Sequence, residues 1–225
     1  MTVVNVLPPV IAIDGPSASG KGTVAQRVAK ALGFHYLDSG ALYRLVAVAA
    51  KQAGIAWDDE AAMAPIAATL DVRFDGDEIF LNQLIVTNLV RSEDASLGAS
   101  KVAVWPAVRA GLLARQKAFR TAPGLVADGR DMGSVVFPDA VLKIFLTADA
   151  ETRAERRYKQ LIGKGMGANM AALLQDIRAR DQRDSQRSAA PLQKTEDAIL
   201  LDTTHLTIDA AVETVLAHYQ AVKKL

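Results

Sequence analysis

The sequence has no cysteine, and this absence excludes disulfide bonds, thiolate metal sites and cysteine nucleophiles. It also has no excess of one charge, because 26 Lys and Arg residues stand against 25 Asp and Glu residues and leave a formal net charge of +1. A near-neutral chain is not expected to bind nucleic acid or a membrane through a broad charged patch. No apolar run approaches the roughly 18 residues needed to span a bilayer, and no basic leader precedes the first strand. We therefore expect a cytoplasmic protein.

What the sequence does contain is the composition of a globular domain, with 50% hydrophobic and 23% charged residues in 225. The apolar run Val10 to Ile13 predicts a buried strand, and an apolar helical stripe follows it as far as a capping Gly33. A second strand at Phe34 to Leu37 and a second helix complete a βαβα order, which predicts a parallel sheet. Between Leu70 and Thr87, alternation around an Asp75-Gly76 turn predicts a small antiparallel insert.

The second half of the chain continues the α/β pattern. Buried strands are predicted at Gly124 to Ala127, Val141 to Leu146 and Ala198 to Leu201. Helix starts are predicted at Ser92, Pro106, Asp149 and Thr207, and a helix break is predicted at Gly163, Gly165 and Gly167. The expected fold class is therefore α/β: a central parallel sheet flanked by helices, a small β-rich insert and a helical lid.

A glycine-rich segment joins the first strand to the first helix, which is the context of a phosphate-binding P-loop. It reads Gly15-Pro16-Ser17-Ala18-Ser19-Gly20-Lys21-Gly22-Thr23. Backbone N–H groups and the helix N-terminus can surround a polyphosphate there, and Lys21 adds a full charge at the β- and γ-phosphates. Gly22 occupies the usual Ser/Thr position, so metal contact by the hydroxyl of Thr23 is expected to pass through water.

Arginine is the second signal for phosphate chemistry. Arg153 and Arg157 share one helix face, and Arg180, Arg183 and Arg187 share another. Each cluster alone is equally compatible with a solvated, ion-paired surface. Because together they flank the glycine-broken segment, they indicate a lid that clamps phosphates.

An acceptor that is itself a phosphate needs no general base, since its second pKa lies near 6. The three scattered histidines, His35, His205 and His218, are accordingly interpreted as structural or exposed. The Asn-Lys-x-Asp signature of guanine recognition is absent from the sequence, so a GTPase switch is not expected.

Four motifs together resemble the bacterial cytidylate kinase family of P-loop nucleoside monophosphate (NMP) kinases. They are the P-loop itself, Leu37-Asp38-Ser39-Gly40-Ala41-Leu42-Tyr43-Arg44, Ala127-Asp128-Gly129-Arg130-Asp131-Met132-Gly133 and the Arg180 to Arg187 segment. The resemblance implies ATP-dependent phosphorylation of CMP and dCMP with Mg²⁺ by a monomer, as is usual in the family, with neither nucleic acid nor a membrane as partner. It also implies one kinase domain over residues 1–225, with a core at 1–60, 106–150 and 188–225, an NMP-binding insert at about 61–105, and a lid with flanking helices at about 151–187.

The resemblance further implies a role for each matched residue. Residues 15–23 with Arg153 and Arg157 bind ATP, and Thr23 and Asp128 contact the metal through water. The expected catalytic set is Lys21, Asp128, Arg130 and Arg157. The expected CMP contacts are Ser39, Arg44, Ser100, Arg109, Arg130, Asp131, Arg180, Asp184 and Arg187. Among these, Asp131 suits cytosine, whose N4 amino group donates to a carboxylate, whereas uracil presents an acceptor oxygen.

Several alternatives remain open on the sequence alone. Another NMP kinase specificity, for UMP or AMP, shares every phosphate-binding feature. A regulatory module that binds ATP without transferring it is a second alternative, and a kinase of a small hydroxyl metabolite, with Asp128 or Asp38 as base, is a third. Asp38 is interpreted first as a helix cap, and the segment Asp202-Thr203-Thr204 as a turn or a contact to adenine. Arg91 either touches the acceptor or simply precedes a helix.

Overall fold

A computed structural model describes residues 7–75, 78–163 and 165–224 of the chain. Two compact units make up these residues. The first takes in the described residues up to Leu37, those within Phe119–Gln186 and those from Ala190 onward, and the second takes in Asp38–Ala118 with Arg187–Ala189. None of the helices among these described residues has the length and hydropathy of a membrane-spanning segment. The division of one kinase domain into core, insert and lid stays a prediction.

Strands and helices alternate along most of the chain. The strands are β1 (Val10–Asp14), β2 (His35–Asp38), β3 (Val72–Asp75), β4 (Glu78–Leu81), β5 (Leu84–Ile85), β6 (Leu125–Gly129), β7 (Leu142–Thr147) and β8 (Ile199–Asp202). The helices are α1 (Lys21–Leu32), α2 (Ser39–Gln52), α3 (Glu60–Thr69), α4 (Thr87–Val90), α5 (Glu93–Val102), α6 (Pro106–Ala118), α7 (Ala150–Gly163), α8 (Met170–Gln186) and α9 (Ile208–Lys223). A π-helical turn covers Met132–Val136.

The predicted sheet is confirmed, and its strands run in the order β2-β6-β1-β7-β8. β1 pairs in parallel with β6 and β7, and β7 pairs in parallel with β8. Every residue of β1 and β6 is buried, as the continuous apolar runs indicate. α1 and α9 cover the sheet through a shared core that includes Ile13, Val28, Val126 and Val215. The carboxyl ends of β1, β6 and β7 therefore share one edge.

The predicted helix boundaries are confirmed by their capping bonds. Asp38 Oδ1 accepts from the N–H of Ala41 at 2.9 Å, so its interpretation as a cap is confirmed. The remaining cap bonds run from Ala95 N to Ser92 Oγ at 3.1 Å, from Thr152 N to Asp149 Oδ1 at 2.5 Å and from Ala210 N to Thr207 Oγ1 at 3.2 Å. Gly33 ends α1 in the left-handed conformation, with φ of 67°.

The second unit contains the predicted antiparallel insert, a sheet of order β3-β4-β5. The predicted Asp75-Gly76 turn extends outside the described residues. Helix α3 was not predicted, because Pro65 lies inside it and proline normally ends a helix. Asp59 caps α3 through the N–H of Ala62 at 3.0 Å, and Met63 and Ala67, one turn apart, are buried. Capping and burial thus outweigh the cost of the proline.

The core of the second unit can be tested with a matched pair of Leu→Ala variants. Leu112 on α6 is fully buried, whereas Leu97 on α5 is 47% exposed. We expect Leu112→Ala to lower the free energy of unfolding by about 3 kcal/mol and Leu97→Ala by less than about 1 kcal/mol, since only the first leaves a cavity.

Tryptophan fluorescence during urea unfolding measures this difference in the right unit, because Trp57 and Trp105 both lie in it and are the two tryptophans of the chain. Equal losses in the two variants would contradict the assigned core.

Candidate functional site

The P-loop lies where the sequence predicts it, between β1 and α1. A Cβ on Gly15 would come within 1.9 Å of the carbonyl oxygen of Leu146 in β7, so only glycine fits there. Ala18 has a φ of 57°, which turns the chain back toward α1. The hydroxyl of Ser19 donates to the carbonyl of Pro16 at 3.0 Å, and Lys21 Nζ donates to the same oxygen at 3.1 Å. Helix α1 therefore begins directly after a tightly folded loop, and the side chain of Lys21 reaches back along that loop to Pro16.

Two arginines of α7 bind the carbonyl groups of this loop. Arg153 donates from Nη1 to the carbonyl of Ser17 at 3.3 Å, and Arg156 donates from Nη1 to the carbonyl of Ser19 at 3.1 Å. Arg156 also donates from Nη2 to the carbonyl of Thr203 at 2.6 Å. The segment after β8 is thus tied to the loop, a role that neither sequence interpretation of Asp202-Thr203-Thr204 included.

Arg153 is held on its other side by a carboxylate. Its Nη1 and Nη2 donate to the two carboxylate oxygens of Asp181 on α8, at 3.0 and 2.6 Å, and the side chain is buried. A bidentate pair of this kind fixes the plane of the guanidinium. The neighbouring Arg157 donates to Gln160 Oε1 at 2.5 Å. Contact of Arg153 and Arg157 with ATP phosphates remains a prediction.

Gly22 has a steric explanation that the sequence did not supply. A Cβ at this position would lie 2.9 Å from Asp128 Oδ2 and 3.6 Å from the hydroxyl of Tyr36. That hydroxyl donates to Asp128 Oδ2 at 3.0 Å, and Asp128 is only 5% exposed. A Ser or Thr side chain would therefore meet the carboxylate, which here approaches the first turn of α1 directly. Thr23, the next residue, is exposed.

The turn after β6 contains Arg130 and Asp131, and Asp14 of β1 binds the two residues that follow them. Both carboxylate oxygens of Asp14 accept from backbone, one from the N–H of Met132 and one from the N–H of Gly133, each at 2.8 Å. Burial raises the pKa of Asp14 from 3.8 to about 6, although these two amide bonds lower it. The nearby carboxylate of Asp131 raises this pKa further and Arg130 lowers it.

Arg130 connects the same turn to α8. Its Nε donates to Asp184 Oδ2 at 2.8 Å and its Nη1 donates to the carbonyl of Gly129 at 3.2 Å. Both side chains are largely buried, with 17% and 7% exposed. Arg180 lies one helical turn before Asp184 on α8. The structure thus brings together Arg130 and Asp184, two of the residues expected at the acceptor.

Five further residues expected at the acceptor belong to the second unit: Ser39, Arg44, Ser100, Arg109 and Arg187. Ser39 is buried and its Oγ accepts from Gln116 Nε2 at 2.9 Å. Arg44 pairs with Asp38, Nη2 to Oδ2, at 2.6 Å.

Ser100 and Arg109 are held by the helices α5 and α6. Ser100 is buried. Arg109 donates from Nη1 to the carbonyl of Ala103 at 3.1 Å and lies 5.6 Å from the ring centroid of Tyr43. Arg187 lies in the Arg187–Ala189 segment of this unit, and Arg91 follows α4. The roles expected for these residues remain predictions.

Comparison with known proteins agrees with the motifs. A sequence model of the family described as cytidylate kinase matches residues 11–221. The chain belongs to the cytidylate kinase family. A protein named cytidylate kinase from Chromobacterium violaceum is 62% identical over 212 residues, which are 94% of this chain and 96% of that protein. One of the same name from Cupriavidus necator is 57% identical over 223 residues, 99% of each.

A solved structure supports the fold of this cytidylate kinase family member. The crystal structure of a gluconokinase from Sinorhizobium meliloti 1021 covers 97% of this chain and 95% of its own, with a TM-score of 0.51 at 16% identity. Likeness at this identity concerns the fold alone, so it adds nothing about the substrate.

Four residues that contact the expected site were not predicted from the sequence: Asp14, Tyr36, Arg156 and Thr203. Asp14 and Tyr36 lie at or near the carboxyl ends of the first two predicted strands. That position is the only sequence signal that could have identified them as site residues. Arg156 lies between two arginines that the helical spacing did single out. Thr203 lies in a segment that was interpreted as a turn or an adenine contact. Their roles depend on contacts between distant segments, which spacing in one segment does not reveal.

The raised pKa of Asp14 gives a pH-dependence prediction. Between about pH 4 and pH 6 the folded protein keeps a proton on Asp14 that the unfolded chain loses, so the Asp14 contribution to stability falls as the pH rises through this window. A shift from 3.8 to about 6 corresponds to roughly 3 kcal/mol.

The measurement is urea unfolding of the wild type and Asp14→Asn, monitored by circular dichroism at several pH values in this range. As the pH rises from about 4 to about 6, the free energy of unfolding of the wild type should fall relative to that of Asp14→Asn by up to roughly 3 kcal/mol. Parallel pH profiles would contradict the assigned shift.

Proposed function

We propose that this chain transfers the γ-phosphoryl group of ATP to the phosphate of CMP or dCMP and so yields ADP with CDP or dCDP. The single observation that carries the proposal is a P-loop between β1 and α1 in a chain that is 62% identical, over nearly its full length, to a protein named cytidylate kinase. The reaction belongs to pyrimidine nucleotide metabolism.

On the donor side, the loop between β1 and α1 supplies N–H groups and Lys21 supplies the cation. In the transition state, the transferred phosphoryl group spreads negative charge over its equatorial oxygens. The protein therefore accelerates transfer by positioning the reactants and by stabilising this charge. Arg153 and Arg156 support this function by binding loop carbonyls, which would otherwise repel phosphate oxygens. Arg157, on the same helix, is proposed to bind the donor phosphates.

On the acceptor side, a phosphate oxygen of CMP attacks the γ-phosphorus in line while the β–γ bridging bond breaks toward ADP. The attacking oxygen is already largely anionic at neutral pH, so no protein base has to remove a proton. Arg130 is proposed to bind the acceptor phosphate. Its bonds to Asp184 and Gly129 use two of five guanidinium donors and set its direction. Asp131 is proposed to accept from N4 of cytosine, and Asp184, beside Arg180, to contact the ribose.

Magnesium fits the residues at the donor end. Among the described residues there is no group of three or more His, Cys, Asp or Glu side chains that could hold a metal ion. Mg²⁺ typically binds one or two protein oxygens together with phosphates and waters, and Asp128 and Thr23 offer a carboxylate and a hydroxyl at the start of α1. When bound with ATP, the ion would neutralise charge on the β- and γ-phosphates. Tyr36 holds Asp128 in place for this contact.

The alternatives have less support. A purely regulatory ATP-binding module does not account for the second set of arginines, and its relatives would not carry the name of a kinase. UMP specificity leaves Asp131 without its donor, because uracil has an acceptor oxygen in place of the amino group. AMP also offers an amino group, and against AMP specificity stand the relatives named cytidylate kinase. A hydroxyl kinase needs a base, yet Asp38 is engaged with Arg44 and the N–H of Ala41, and Asp128 with Tyr36.

The decisive experiment measures ADP formation from Mg·ATP with CMP, dCMP, UMP, AMP, GMP and shikimate supplied separately, beside a control with no acceptor. Strong turnover with CMP and dCMP alone is expected. Turnover with another nucleotide would keep the transfer chemistry and discard the base assignment. Turnover independent of any acceptor would reject the proposal. Gel filtration of the same sample tests the expected monomer.

Replacing Lys21 with Ala removes the cation at the transferred phosphate. We expect kcat/KM for CMP to fall by at least about 100-fold, since electrostatic stabilisation of this kind is typically worth that much. Lys30→Ala is the matched control, because Lys30 is exposed on the same helix. Its rate should stay within about twofold of the wild type, and a near-normal rate in Lys21→Ala would remove Lys21 from the mechanism.

Replacing Asp131 with Asn exchanges an acceptor for a group that also donates. We expect kcat/KM for CMP to fall about 10- to 100-fold while that for UMP falls less, because uracil offers an acceptor oxygen in place of the N4 amino group. Asp139→Asn, an exposed carboxylate of the same unit, serves as the control. Initial rates with the two acceptors decide the question, and an unchanged CMP to UMP ratio would exclude Asp131 from base recognition.

A further inference from the structure

One buried carboxylate links the two ends of the site in the first unit. Asp14 is the last residue of β1 and immediately precedes Gly15, which begins the P-loop. Its two oxygens accept from the amides of Met132 and Gly133, which lie 118 and 119 residues further along the chain. Those amides directly follow Asp131. A single side chain therefore connects the start of the phosphate loop to the turn that carries Arg130 and Asp131.

The chemistry of these two bonds explains why a carboxylate occupies this place. Two amide donors arrive at one point, and an ionised carboxylate offers an acceptor oxygen to each. Asparagine would offer one acceptor and turn an NH₂ group toward the second amide, while alanine would leave both amides without this partner. A buried carboxylate costs stability, and Asp14 is only 8% exposed, so its presence here points to a requirement other than stability.

That requirement is geometric. On one side Gly15 is pressed against the carbonyl of Leu146, so Asp14 sits on a fixed piece of backbone. On the other side Arg130 is directed by Asp184, and the turn ends in the π-helical segment Met132–Val136. With Asp14 attached to both, a displacement of the Arg130-Asp131 turn from the P-loop breaks two hydrogen bonds in the protein interior.

We propose that Asp14 is a positioning residue that sets Arg130 and Asp131 in register with the P-loop by holding the amides of Met132 and Gly133. The proposal rests on the function proposed above and deepens it. It assigns no contact between Asp14 and a substrate. Its consequence is that loss of the carboxylate weakens acceptor binding and base discrimination more than it weakens ATP binding.

The experiment compares the wild type with Asp14→Asn and Asp14→Ala. For each, we would measure kcat, KM for ATP, KM for CMP, the CMP to UMP ratio of kcat/KM, and the melting temperature. We expect Asp14→Asn to raise KM for CMP about tenfold and to lower the CMP to UMP ratio severalfold, with KM for ATP changed by less than about threefold. Asp14→Ala should be more severe, and the partial function of Asn reflects the one acceptor that it retains.

A matched core variant separates positioning from mere destabilisation. Val28→Ala removes buried methyl groups from α1 in the same unit and lowers stability without touching the turn. It should lower the melting temperature yet leave the CMP to UMP ratio unchanged. If Asp14→Asn lowers the melting temperature but likewise leaves that ratio and KM for CMP unchanged, the positioning role is wrong.

If Asp14→Asn does not fold, Gly133→Pro tests the same link from the other side, because proline lacks the N–H that donates to Asp14 Oδ2 at 2.8 Å and is tolerated in the first turn of a helix. Unchanged KM for CMP and unchanged selectivity in that variant would overturn the proposal. Failure of the wild type to phosphorylate any nucleotide would instead reject the proposed function, and calorimetric binding of CMP to the wild type and Asp14→Asn would still measure acceptor affinity.

Discussion

Gly15 leaves room for nothing larger than a hydrogen atom against the carbonyl oxygen of Leu146, and the position of the whole phosphate loop depends on this contact. Because β1 is fully buried and paired on both sides, the chain leaves the sheet at one point and in one direction. The loop then turns back at Ala18 and enters α1. Arg153 and Arg156 bind its carbonyl oxygens, which favours a loop that presents N–H groups to an anion.

Three arginines of the candidate site are paired with carboxylates. Arg44 pairs with Asp38, Arg130 with Asp184 and Arg153 with Asp181. Partly buried guanidinium groups require such partners, because an unpaired charge in the protein interior is costly. The pairs also fix the direction of each guanidinium plane, so its N–H donors are oriented before any ligand binds.

The sequence predicted those features that depend on local pattern. Apolar runs identified β1 and β6, and capping residues such as Ser92 and Thr207 identified helix starts, because a strand or a cap is recorded within a few neighbouring residues. Helix α3 was missed because Pro65 contradicts the local pattern while burial of Met63 stabilises the helix from outside it.

Prediction of the candidate site divides along the same line. The P-loop was found because its glycines, lysine and flanking elements are contiguous. Gly22 was noticed as a departure, but its reason, the approach of Asp128 and Tyr36, involves segments far apart in sequence. Asp14 was passed over for the same reason, since its partners are 118 and 119 residues away.

The order of strands in the sheet bears on how the chain acquires its fold during synthesis. β1 lies in the middle of the sheet, but its neighbours β6 and β7 begin at Leu125 and Leu142. β1 therefore has no partner strand until synthesis reaches Leu125, and most of the second unit, Asp38–Ala118, is made in the interval. The phosphate-binding loop consequently takes its final form late, after the residues between β1 and β6 have been made.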